Sequence, residues 1–105
     1  MGYYSEVVVA VRKDAVEDFE ASCAELLKYA DEKAEFKEGA FYCWNTVKWY
    51  ESEQPTASFY DWAAKADGGR YSIVRLGKDL DDMEQGGWFN CGLTVERTIA
   101  VPTRI

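Results

Sequence analysis

The chain has 105 residues, 19 acidic against 12 basic, for a net charge of −7, and 48% of it is hydrophobic and 15% aromatic. That length fits one domain over residues 1–105, and the composition argues against disorder. The charge repels nucleic acid and anionic lipid, the absence of histidine removes the usual base near neutral pH, and three widely spaced cysteines, Cys23, Cys43 and Cys91, compose neither a zinc set nor a disulfide framework.

The first element is the run Val7 to Val11, which alternates Val7, Val9 and Val11 with Val8 and Ala10. Apolar side chains on both sides predict a central strand buried on two faces. The run is far shorter than the ~20 residues of a membrane span, and no basic leader precedes it, so a cytoplasmic location is expected. Asp14 and Glu17 have the spacing of a capping box, and a helix is predicted from there to about Tyr29 or Ala30. Its apolar stripe is Val16, Phe19, Cys23, Leu26, Leu27 and Ala30, and the opposite face, with Glu17, Asp18, Glu20, Glu25 and Lys28, is expected to be solvated.

Glu38-Gly39 separates two β-prone runs, which predicts a hairpin of residues 34–37 with residues 40–50 and a bulge or break at Asn45-Thr46. Phe41 and Cys43 share one face of its second arm, and Tyr42 and Trp44 share the other. Gln54-Pro55-Thr56 then opens a second helix with Phe59, Trp62, Ala63 and Ala66 as its stripe, ended by Gly68-Gly69. Two further strands follow, residues 70–76 and 88–101, joined by an acidic loop. The order βαββαββ predicts an α+β fold, a ferredoxin-like antiparallel sheet with an extra strand and two helices on one face.

The acidic loop lies in "RLGKDLDDMEQGGW", Arg75 to Trp88, and carries Asp79, Asp81, Asp82 and Glu84. Counted from Asp79 as an EF-hand, the sixth position is Glu84 where glycine is required and the twelfth is Asn90 where glutamate is required, so that match fails and no metal is assigned. A casual Mg²⁺ or Ca²⁺ contact, a solvated turn and a partner-facing epitope remain open. The glycine pairs of "ADGGRYS" and "EQGGWFN" match neither phosphate-cradling pattern, and no nucleophile sits in an elbow sequence, so no cofactor and no enzymatic activity are expected. Trp44, Trp49, Tyr50 and Trp88 are the candidate anchors of a partner surface, since large rigid rings dominate interfaces as well as cores.

At "VKWYE", Val47 to Glu51, and at "RLGKDLDDME", Arg75 to Glu84, the chain resembles a group of small phage and prophage accessory proteins. Members of that group carry a hydrophobic-Lys-Trp-Tyr motif followed by a helix, an Asp-rich turn and a last strand similar to "LTVERTIAV". The resemblance implies a context and no catalytic residue: small acidic phage products block host defence machinery, CRISPR effectors included, by covering nucleic-acid-handling surfaces. The expected function is therefore a non-enzymatic, anti-CRISPR-type inhibitor in the host cytoplasm that docks on a basic groove of a host protein. Asp79, Asp81, Asp82 and Glu84 would steer it, and Trp44, Trp49, Tyr50 and Trp88 would anchor it. The alternative is a homo-oligomer that binds a small molecule or nucleotide signal between aromatic rings, with Arg12, Lys48, Arg70 and Arg75 as candidate cations.

Overall fold

The structure, a computed structural model, describes residues 4–50, 52–77, 82–89, 94–95 and 99–100. In chain order its elements are β1 (Tyr4–Arg12), α1 (Val16–Ser22), α2 (Ala24–Leu27), β2 (Glu32–Phe36), β3 (Gly39–Lys48), α3 (Thr56–Lys65), β4 (Tyr71–Leu76) and β5 (Met83–Gly87). Two-residue strands β6 (Thr94–Val95) and β7 (Ile99–Ala100) complete them. No helix among the described residues is long and apolar enough to cross a membrane.

The fold is α+β, with a five-stranded antiparallel sheet in the order β2-β3-β1-β4-β5. Residues Val7 to Val11 have no exposed surface, because β1 is paired along both edges and covered on both faces. Val7, Val9 and Val11 pack with Phe19 and Leu26 from the first two helices, with Cys23 between those helices, and with Phe59 and Trp62 from α3. Val8 and Ala10 pack on the other face with Phe41, Cys43 and Val74, and Phe36 stacks on Phe41 at 4.6 Å between ring centroids. β7 approaches β1, whose two edges are already taken by β3 and β4.

The expected ferredoxin-like sheet with two helices differs from this in three places. The first helix divides at Cys23, whose φ of −115° and ψ of 27° leave the helical region, although the apolar stripe continues on the same side. The fifth strand of the sheet comes from Met83–Gly87, inside the stretch that the sequence predicts as a loop. Of the predicted last strand, residues 88–101, Thr94–Val95 and Ile99–Ala100 instead pair with each other in a separate ladder.

Local chemistry accounts for several boundaries. The Asp14 carboxylate accepts from Arg12 at 2.8 and 2.9 Å and no side chain caps α1, so the predicted capping box does not form. The predicted irregularity at Asn45-Thr46 is a β-bulge: Ser5 pairs with Val47 and Val7 with Trp44, so two residues of β3 stand opposite Glu6 alone. Gly87 ends β5 at φ +70°, where any Cβ would run into the carbonyl of Tyr71. Burial in the core pushes the Cys23 thiol up to about 11, well away from the thiolate that reactive cysteines need.

Candidate functional site

Register builds the site. In the β4–β5 hairpin, Arg75 stands directly opposite Glu84, and the backbone amide of Gly77 donates to the carbonyl of Asp82 at 2.7 Å, which brings Asp82 over the same guanidinium. Arg75 Nη2 donates to Asp82 at 2.9 Å, its Nε donates to Glu84 at 3.1 Å, and its Nη1 donates to Ser5 Oγ at 3.2 Å. The hydroxyl of Tyr60, carried by α3, donates to Glu84 at 2.8 Å and accepts from Trp49 Nε1 at 2.9 Å. One continuous chain of bonds thus ties β1, β4, β5, α3 and Trp49, the residue after β3, together.

The charges in this chain support one another. Bonding to Asp82 in the first place, and to Glu84, holds the Arg75 guanidinium above its ordinary value against the opposing effect of burial. Its side chain is only 15% exposed, and those of Asp82 and Glu84 are about one-third exposed. The two acids therefore present to solvent from fixed positions, beside a groove of about 760 Å³ also lined by Tyr50 and Met83.

The eight residues singled out by sequence fall into four groups. Asp79 and Asp81 lie outside the described residues. Asp82 and Glu84 are brought together by Arg75. Trp44 and Trp49 are buried, with ring centroids 5.4 Å apart and the Trp44 Nε1 donating to the carbonyl of Leu26 at 3.2 Å. The surface role expected of these two tryptophans is thereby corrected: the face of β3 that bears Trp44 is the one the helices cover. Tyr50 and Trp88 reach the surface, and Trp88 is 73% exposed.

The Trp88 ring lies against Gly68 and Gly69, and a Cβ on Gly68 would collide with it. The Trp88 amide donates to the carbonyl of Gly68 at 2.9 Å, and the next amide, of Phe89, donates to Tyr71 at 3.0 Å. The paired glycines after α3 thus serve as a platform for an exposed ring. The sequence did not point to Arg75 or Tyr60 as organisers; the available signal was an arginine and a glutamate at compatible positions of a hairpin. Of the cations considered for a small ligand, Arg12 and Arg75 already hold carboxylates, and the ammonium of Lys48 lies 5.7 Å from the centre of the Tyr4 ring.

A second polar cluster lies on the helix side. Glu20 accepts from Tyr42 Oη at 2.6 Å and from Lys33 Nζ at 2.7 Å, and Asp18 accepts from Trp62 Nε1 at 2.8 Å. The helix face predicted to be plainly solvated therefore contributes two acids to tertiary contacts. Lys33, then Tyr42, holds the Glu20 carboxyl below its usual value, while burial first, then Glu20, holds the Tyr42 phenol above its own. A lowered carboxyl stabilises the fold above the unfolded value, about 4.3, and that contribution goes as pH falls through the folded one; a raised phenol stabilises it below about 10 and loses this as pH rises. Stability from this cluster is expected to be level between roughly pH 5 and 10 and to fall on either side, and the wild-type loss below pH 5 should shrink in Glu20→Gln. Urea midpoints across the pH range, compared for the two proteins, check this.

No family model, curated protein or solved structure matches this chain.

Proposed function

We propose that this chain is a phage-encoded, non-enzymatic inhibitor of a host defence system, of the anti-CRISPR type, acting in the host cytoplasm by docking on a basic nucleic-acid-handling surface. The contact face is the β5 side of the sheet, with Asp82 and Glu84 near its start and Trp88 at its end; Asp79 and Asp81 join it by sequence alone. The observation that carries the reading is Trp88, whose ring is 73% exposed yet backed by Gly68 and Gly69. A large ring already held in place loses little entropy when a partner covers it, which is the property of an interface anchor.

The remaining support is geometric and electrostatic. Residues 82 and 88 are six apart along an extended strand, roughly 20 Å, which fits inside the ~800 Å² that one partner buries in a standard interface. The net charge of −7 steers the protein toward a basic surface, and the Asp82 and Glu84 carboxylates are held by Arg75 before any partner arrives. The phage context follows the resemblance at "VKWYE" and "RLGKDLDDME". The helices over one face of an antiparallel sheet support reading the scaffold as ferredoxin-like with an added edge strand.

The test is a pull-down from host lysate with and without nuclease, followed by affinity measurement on the partner recovered. The expected result is a nuclease-resistant, stoichiometric complex with one nucleic-acid-processing protein, weakened by salt. Trp88→Ala is expected to weaken it at least about tenfold without moving the thermal unfolding midpoint. Recovery of the protein alone, or full affinity in Trp88→Ala, would sink the proposal.

A further inference from the structure

On the other side of Tyr50, a groove of about 600 Å³ opens between the start of β1, the end of β3 and the segment entering α3. That volume lies within the range of small-ligand sites. Its lining includes the apolar Leu26, Val47 and Pro55 beside the buried Thr56. Its rim carries Tyr4, Tyr29 and Tyr50, three of the five large hydrophobic side chains that are exposed among the described residues. Folding hides Phe19, Trp44 and Phe59 completely or nearly so, and it leaves these three rings around one concavity.

Two charged groups share the groove, Lys48 and Glu53. Arg12, Lys28, Lys33 and Arg75 each hold a carboxylate at 2.7 to 3.1 Å. Lys48 and Glu53 hold no ion pair among the described residues, and the Lys48 ammonium rests instead near the Tyr4 ring. Ligand binding therefore breaks no internal ion pair, and Lys48 gives up only its contact with the Tyr4 ring.

We infer that this groove binds a planar, amino-bearing heteroaromatic ring joined to an anionic group, the chemistry of a purine mononucleotide. The ring stacks on tyrosine, an interaction of about 1–3 kcal/mol per base in nucleic-acid complexes. The anion pairs with Lys48, and the exocyclic amino group donates to Glu53. Neither half suffices alone: one exposed lysine on a protein of charge −7 holds a bare anion weakly, and an uncharged ring leaves Lys48 unused. The site shares Tyr50 with the groove beside Asp82 and Glu84, but the inference does not rest on the proposed docking function.

The test is a two-dimensional NMR titration of the whole chain with adenosine monophosphate and guanosine monophosphate, with adenosine and inorganic phosphate titrated separately. At least one nucleotide is expected to give saturable shifts centred on Tyr4, Tyr29, Lys48 and Tyr50, with adenosine and phosphate each at least about tenfold weaker. Lys48→Gln should weaken the nucleotide about tenfold and leave adenosine unchanged, whereas Tyr29→Ala should weaken both. These side chains are exposed, and an unchanged unfolding midpoint confirms that the variants fold. No saturation by either nucleotide at millimolar concentration, shifts centred elsewhere, or undiminished affinity in Lys48→Gln would overturn the assignment.

Discussion

Trp44→Ala is expected to destabilise the protein by about 3–5 kcal/mol, the range for emptying a large aromatic site in a core. The ring has no exposed surface, it packs against Trp49 at 5.4 Å, and its Nε1 donates to the carbonyl of Leu26 near the end of α2, beside the Tyr29 amide. Alanine would leave a void between the sheet and the helices and remove one of the two donors to the Leu26 carbonyl, which keeps the Tyr29 amide at 3.1 Å. Against a total stability of about 5–15 kcal/mol for a domain, such a loss brings the folded state close to its limit at 37 °C. Trp44→Phe keeps most of the volume and loses the hydrogen bond, so about 1–2 kcal/mol is expected. Urea unfolding followed by far-ultraviolet circular dichroism measures both. A surface anchor at position 44 would instead give an alanine variant within about 0.5 kcal/mol of wild type.

The same residue shows what the sequence carries and what it does not. Alternation by two separates Tyr42 and Trp44 from Phe41 and Cys43, and the structure keeps that division, with the first pair toward the helices and the second toward the opposite face. Period two says which residues share a face. It does not say what covers each face, and a sheet with one open side would have left large rings exposed. The strand Val7 to Val11 contains the missing information in part, because valines on both sides demand two covers.

The bulge at Asn45-Thr46 is legible because its two polar residues interrupt an aromatic run, and it appears as expected. β5 is not legible, since Asp-Asp-Met-Glu-Gln-Gly-Gly has little β propensity. Its place is set by tertiary terms: the Arg75–Glu84 cross-strand pair, the Tyr60 hydroxyl from α3 and the left-handed Gly87. The Asp14–Glu17 spacing fails for a related reason, as Arg12 competes for the Asp14 carboxylate and forms two bonds with it. For the candidate site, composition identifies acids and rings as the relevant chemistry. Only the fold selects Trp88 for the surface and Trp44 and Trp49 for the core.

Arg75→Met is expected to cost about 2–3 kcal/mol, more than the 0–1 kcal/mol of an exposed ion pair and less than the loss at a fully buried one. Methionine preserves much of the aliphatic stem, so the effect reports the guanidinium rather than the packing. Without that group, Asp82 and Glu84 repel one another as like charges with no cation between them, and Glu84 keeps Tyr60 as a donor while the bonds from Arg75 are gone. Two controls separate electrostatics from shape. Added salt should restore part of the Arg75→Met loss by screening the two acids, and Glu84→Gln in the same chain should restore more, giving a coupling of about 1 kcal/mol in a double-mutant cycle. If the double variant is simply additive, the clamp contributes no cooperative stability. The damage should be local as well, with faster hydrogen exchange at the β5 amides than in β1. Because Trp88 follows directly on β5 while its ring rests on Gly68 and Gly69, this variant loosens the acidic end of the proposed docking face and leaves the aromatic platform in place. Partner affinity should therefore fall less in Arg75→Met than in Trp88→Ala, although its stability falls more.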